Sequence, residues 1–259
     1  MNEHVNRLPP EIILWGGTGQ AKVVRPIIEH YGSKVVAVFD NTPNLPPPFP
    51  DVPLYVGWAG FQEWIQGYPH RAEIGFCIAI GNPHGRVRVR LHERLMAEGL
   101  QAVTLAHPSA QIAPNASIGE GCQLMAGAIV NPEARLGRQC IINTKASVDH
   151  ECVLDDGVEL APGATLCGIV HLGINAWICT GATVLPRISI GADAIVGAGA
   201  LLGAGQGALL GAGLVNPALI GSLTALTNNV VTQSVTGCKG QPISFGSALG
   251  ATLGGGAGQ

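Results

Sequence analysis

The run Ser147-Val148-Asp149-His150-Glu151-Cys152 sets an imidazole directly before a carboxylate. Histidine titrates near neutrality, so one held in a surface groove can take the proton from an amine or hydroxyl as that group attacks an electrophile. A second candidate lies upstream, where Gly16-Gly17-Thr18-Gly19-Gln20 follows an apolar run and precedes a helical pattern. Gly17, Gly19 and a helix starting near Ala21 can bring backbone N–H groups against a phosphate, helped by the helix dipole. A dinucleotide fingerprint wants a third glycine where Lys22 stands, which favours a nucleotide or sugar nucleotide over NAD. Asp40, at the end of the next apolar run, is placed to take the hydroxyls or base of such a ligand.

The elements behind these residues follow two different periods. Stepping by six from Ile112 through Ile118, Leu124 and Val130 to Leu202 meets only Ile, Leu or Val. Four residues after each stands a small or apolar residue, such as Ala116, Cys122, Ala128, Cys140 and Cys152, until Gln206 breaks the row at its end. A strict six does not fit a helical period of 3.6. It fits a solenoid of short strands, three per coil, with one branched aliphatic inward and one small residue at each corner. One coil is then eighteen residues, and Ile118 stacks under Leu136 and Cys122 under Cys140. On this comb His150 occupies neither the inward nor the corner position and points outward. Asn143, one corner earlier, either holds an acceptor or thioester oxygen or belongs to an asparagine ladder. Trp177 covers a coil face or a seam between subunits.

Ahead of the comb the pattern is strand, helix, strand, helix, strand, which means a parallel α/β sheet. Strands are expected at 11–15, 35–39, 74–80 and 102–105, with helices after Gly19, at 59–65 and at 86–98. Residues 41–53 hold too many prolines for regular structure. Three units result: 1–106, 107–220 and a glycine-rich tail, 221–259.

Together the two halves resemble the bacterial sugar acetyltransferases of the sialic acid O-acetyltransferase type, which include N-acetyltransferases of UDP-4-amino sugars. The residues that carry the resemblance are Gly16 to Val24 (GGTGQAKVV), Ile80-Gly81-Asn82, His107-Pro108-Ser109-Ala110, Ile142-Asn143-Thr144 and, above all, Ser147 to Cys152. The resemblance implies a Rossmann-like α/β domain that binds a sugar nucleotide, followed by an all-β left-handed parallel β-helix of hexapeptide repeats. It implies acetyl-CoA as co-substrate, direct transfer to an amine or hydroxyl, His150 as general base and Glu151 as the group that hydrogen-bonds it and raises its basicity. Acceptor-binding positions would be Thr18, Gly19, Gln20, Asp40, Asn41, Gly81, Asn82 and Asn143. Acetyl-CoA contacts map to Glu159, Thr180 and Ala198, the last two through backbone amides. Gln20 stands where many members have histidine, Asn41 where some have a second aspartate, and Glu159 where some have histidine. A homotrimer is implied, with each site built from two subunits. A catalytically inactive sugar-nucleotide-binding scaffold is the alternative.

Composition narrows the classes. With 14 basic and 17 acidic residues the net charge is -3, too little positive field for nucleic acid or an anionic membrane. Seven cysteines without a CxxC pair, and no leader-like start, lead to the expectation of a reducing cytoplasm. The eight histidines show no metal-ligand spacing, and no metal is expected. His171 lies outward on the comb, His107 precedes it, His84 starts a helix, and His4, His30, His70 and His92 read as solvated. After Leu202 the register fails, and Lys239 is the one charge beyond Asp193. That stretch reads as an irregular cap, a glycine-rich tail without fixed structure, or a shifted reading frame. A membrane helix there ranks lower, because Ile190, Val196 and Leu202 still keep strand register.

Overall fold

A computed structural model describes residues 5–68 and 71–203. His4, His70, Cys238 and the tail 221–259 lie outside the described residues, as do residues 204–220 of the expected second unit.

The first unit is a five-stranded parallel sheet. Its elements are β1 (Glu11–Trp15), α1 (Gly19–His30), β2 (Lys34–Asp40), β3 (Leu54–Val56), α2 (Gly57–Ile65), β4 (Ile74–Ile78), α3 (Gly85–Ala97) and β5 (Gln101–Ala102). The strand order is β3-β2-β1-β4-β5, so the winding reverses between β1 and β4. Strand alternation splits the core: Ile12 and Leu14 pack with Val24 and Ile28 of α1, while Ile13 and Trp15 face Phe39, Phe61 and Leu95. β3, just past the irregular segment, was not anticipated.

The second unit is a left-handed parallel β-helix of two-residue strands, from β6 (Leu105–Ala106) to β22 (Leu201–Leu202). Each strand pairs in parallel with the strand eighteen residues on, as in Ser117↔Arg135 and Ile118↔Leu136. Every comb position past Ile112 is buried, as are the corner residues Cys122, Cys140 and Cys152. Each Leu, Ile or Val so buried contributes about 1.5–3 kcal/mol. Thiols at these corners also donate across coils, for example Cys122 Sγ to the Gly137 carbonyl at 3.0 Å.

Three faces result. The first carries Gln123–Leu124, Ile141–Ile142, Glu159–Leu160 and Trp177–Ile178, the second Ser147–Val148 and Thr165–Leu166, and the third Val153–Leu154 and His171–Leu172.

Two expectations need correction. The strand expected at 102–105 is two strands. Gln101–Ala102 pairs with β4, and Leu105–Ala106 already pairs with Gln123–Leu124 of the prism. The comb therefore starts at Ala106, one step before Ile112, where alanine hides the aliphatic signal. His92 is buried at 3% exposure and not solvated. Its face of α3 is pressed onto the prism, where Nδ1 meets Gln139 Nε2 at 3.1 Å.

Among the described residues no helix is long and apolar enough to cross a membrane, and no three His, Cys, Asp or Glu side chains are grouped to hold a metal ion.

Candidate functional site

His150 sits on the turn 149–152, the edge between the second and third faces. Its Nδ1 lies 2.9 Å from Glu151 Oε2, and about half of each side chain is exposed. A carboxylate can only accept, so it fixes the proton on Nδ1 and leaves the lone pair of Nε2 free to take a proton. The backbone N–H of His150 donates to Asp149 Oδ1 at 2.8 Å, and that carboxylate also receives Asn131 Nδ2 at 3.0 Å. The turn is thereby stiffened beneath the imidazole.

The glycine loop occupies the carboxyl end of β1, beside the 79–84 loop that leaves β4. In open α/β sheets ligands settle where the strand order reverses. Thr18, the N-cap of α1, makes no side-chain hydrogen bond to the first turn, and a Cβ on Gly19 or Gly81 would meet nothing within 4 Å. Asp40 fastens the loop: Oδ2 accepts the Gly17 N–H at 2.7 Å and Oδ1 the Thr42 N–H at 2.9 Å. Burial alone would push this carboxyl up, but these donors hold it below the usual carboxylate range. Asn41 is exposed beside it. Thr18, Gly19, Asp40, Asn41, Gly81 and Asn82 thus come together at adjacent strand ends. Gln20 is turned to the prism, donating from Nε2 to Gln123 Oε1 at 2.8 Å, and Gln123 in turn donates to the Ile78 carbonyl at 2.8 Å.

The α/β unit packs against the first face and the edge between the third and first faces. Gly85, at the start of α3, touches Gly157 so closely that a Cβ there would collide with its carbonyl. Three residues on, Arg88 is fully buried. It donates to the carbonyls of Ile80 at 3.1 Å, Gln139 at 3.1 Å and Gly157 at 2.8 Å, and its Nη1 lies 3.4 Å from Glu159 Oε2. Glu159 also accepts the Asn82 N–H and the Asn143 amide, while burial pushes its carboxyl above the usual range. The sequence reading missed Arg88 and His92 because nothing in a polar helix marks which face meets a second unit.

Thr180 and Ala198 lie one coil apart, both exposed, on the edge between the first and second faces, and the Gly199 N–H donates to the Thr180 carbonyl at 2.9 Å. Glu159 is not with them: it is 6% exposed, beneath the α/β unit. Asn143 heads the same edge as Thr180, two coils earlier, and its Oδ1 accepts the Thr144 N–H at 2.8 Å. Trp177 is half-buried next to Glu159 in strand register.

Faces and edges fix one relation that no single contact shows. The edge holding His150 joins the second and third faces, so it lies opposite the first face, on which the α/β unit sits. Within one chain the imidazole and the crevice over Gly19 and Gly81 are on opposite sides of the prism.

The family model described as the PglD N-terminal domain matches residues 11–95. The chain is similar to GDP-perosamine N-acetyltransferase of Escherichia coli O157:H7, 31% identical over 124 residues, covering 48% of this chain and 55% of that protein. It is also similar to UDP-N-acetylbacillosamine N-acetyltransferase of Bacillus subtilis, 38% identical over 124 residues, covering 44% of this chain and 51% of that protein. The match thus spans about half the length of these two relatives. Among solved structures, PerB from Caulobacter crescentus in complex with CoA and GDP-perosamine superposes with a TM-score of 0.66 at 33% identity, covering 74% of this chain and 88% of that one.

Proposed function

The chain belongs to the bacterial sugar acetyltransferases of the hexapeptide-repeat type, and from that premise we propose that it moves the acetyl group of acetyl-CoA to the amine of a nucleotide-activated amino sugar. The observation that carries this reading is the His150–Glu151 pair at 2.9 Å, with Nε2 left free on an exposed edge. The acceptor amine attacks the thioester carbonyl, and His150 Nε2 takes the proton the nitrogen sheds. The C–S bond then breaks, and the CoA sulfur leaves with a proton returned from the imidazole. No covalent enzyme intermediate is needed. Glu151 holds the tautomer and compensates the imidazolium charge that develops. The amine is favoured over a hydroxyl because the named relatives above are N-acetyltransferases.

The acceptor's diphosphate belongs over Gly17, Thr18 and Gly19, at the uncapped start of α1, with Asp40 and Asn41 on the nucleoside side. The exposed Thr180–Ala198 edge is the candidate path for acetyl-CoA. Because His150 and the crevice lie on opposite sides of the prism, the reading requires a second copy to bring its imidazole to the crevice, consistent with a homotrimer. The buried thiols of Cys77, Cys122, Cys140 and Cys152 support a reducing, cytoplasmic setting.

The test is complementation between two inactive chains. His150→Ala lacks the base, and Gly19→Trp fills the open space over the loop. Co-assembled, they regain about a quarter of parental transfer, from sites that draw the base from one chain and the crevice from the other. Failure to regain any transfer in verified mixed oligomers would contradict the shared site.

A further inference from the structure

We propose that Leu45, on the proline-rich segment after β2, is the wall against which the nucleobase of the acceptor packs, and that Arg25 is the positioning residue that holds this wall in place. The inference rests on the acetyl-transfer reading above. Six of residues 41–53 are proline, so the segment has few conformations to choose among and little freedom to lose when a ligand arrives. Asn44, at φ 58°, turns the chain midway, and Leu45 is laid over the glycine loop. A Cβ built on Gly17 would stand 2.9 Å from Leu45 Cδ2 and 3.4 Å from Leu54 Cδ1. Leu45 is only half-buried, and both of its chain neighbours are exposed. It therefore leaves apolar surface open to solvent beside the loop.

Polarity decides which part of a sugar nucleotide this surface takes. The sugar, the diphosphate and the ribose carry hydroxyls or charge, and only the base presents a flat apolar face. The carboxylate at this end of the crevice is already engaged. Asp40 accepts the N–H of Gly17 at 2.7 Å and of Thr42 at 2.9 Å, and the Asn41 N–H and the Thr42 hydroxyl donate to it as well. An ionised carboxyl has about four lone-pair sites, and these donors fill them. Asp40 is thus occupied in fastening the start of the segment, and Leu45 supplies the contact that remains.

Arg25 fastens the other end. From α1 its Nη1 and Nη2 hold both carboxylate oxygens of Asp51, at 2.7 and 2.5 Å, while Nε holds Glu29 Oε1 at 2.6 Å. The same guanidinium lies 4.5 Å from the centroid of the Phe49 ring. A planar fork that grips a carboxylate and stacks on a ring is a task for arginine and not for lysine. Beneath it Phe49 and Val52 are buried in one cluster with Val24, Ile27 and Ile28 of α1. With Asp40 holding the segment before Leu45 and Arg25 holding it after, the leucine is kept against Gly17.

The experiment measures binding and isolates the base. UDP and GDP are titrated by calorimetry, and ribose 5-diphosphate, which has the same ribose and diphosphate without a base, is read by its displacement of the bound nucleotide. The proteins are the parent, Leu45→Ala, Leu45→Met, Arg25→Ala, Arg25→Lys and the double variant Leu45→Ala with Arg25→Ala, each checked by its melting temperature. Leu45→Ala should weaken the nucleotide that the parent binds by about 5- to 20-fold and leave ribose 5-diphosphate at parental affinity, while Leu45→Met retains most of the binding. Arg25→Ala should cause a smaller loss of the same kind, which Arg25→Lys only partly repairs. The double variant should lose no more than Leu45→Ala alone, because both changes act at one contact. No loss in Leu45→Ala, or an equal loss for nucleotide and ribose 5-diphosphate, would overturn the wall. Losses that add in the double variant would overturn the positioning role of Arg25. A parent that binds neither UDP, GDP nor their 4-amino sugars would overturn the acceptor reading itself, and this inference with it.

Discussion

The imidazole of His150 lies against Gly168, the residue one full coil further along the prism. A Cβ built on Gly168 would stand 2.4 Å from His150 Nε2 and 2.5 Å from Cε1. The glycine clears the shelf on which the base rests, and the atom nearest that shelf is the one assigned to proton transfer.

Gly168→Ala is therefore expected to damage catalysis more than folding. Gly168 is not among the residues of positive φ, so alanine suits its backbone, and the collision falls on an exposed ring that can swing aside. Turnover should drop by about tenfold or more, because displacing a base by an ångström is costly, while the melting temperature stays close to the parent's. Unchanged turnover would show that the ring does not work from this position.

Glu151→Gln keeps an acceptor for the Nδ1 proton and removes the charge. The rate should fall, by less than in His150→Ala, with little change in the KM for either substrate. A rate equal to the parent's across the pH range would remove Glu151 from the mechanism.

The seam between the units supplies a stability test. Arg88→Met leaves Glu159 buried without its cation, and breaking one side of such a pair costs about 3–5 kcal/mol. Arg88→Met combined with Glu159→Met should recover much of that loss, since a well-packed apolar pair often matches a buried ionic one. Denaturant midpoints check both, and a single variant as stable as the parent would contradict the geometry at 3.4 Å.

Acid should loosen the same seam. Burial holds the His92 imidazole below its ordinary range, with Arg138 adding to the effect while Glu120, Glu93 and Asp156 oppose it. Above about pH 6.5 the ring is neutral in both folded and unfolded chains, so its contribution to stability is complete there. As pH falls below that value the unfolded chain takes up the proton first, and stability declines until the folded ring titrates as well. Melting curves from pH 7.5 to 5.5 should show a shallower decline in His92→Gln than in the parent. Identical slopes would exclude His92 as the source.

What the sequence disclosed depended on whether a signal was local or periodic. The prism was legible because each inward position demands a branched aliphatic and the demand recurs every six residues. Its first step was hidden because Ala106 satisfies the packing without advertising it. His150 and Glu151 are neighbours in the chain, so their pairing could be expected from the resemblance, and the eighteen-residue coil places Gly168 beside His150 for anyone who counts. The seam was illegible. Arg88 and Glu159 are 71 residues apart in different units, and polar residues on α3 look the same whether they face water or a second domain.

The most direct test of the account follows thiol release from acetyl-CoA mixed with a panel of UDP- and GDP-linked 4-amino sugars, with the parent beside His150→Ala. General base catalysis is typically worth 10²–10⁴-fold, so the account predicts release with an amino-sugar acceptor and a fall of about that size in the variant, with the oligomer intact. Release that persists in His150→Ala at the parental rate, or a folded parent that is silent across the panel, would contradict it.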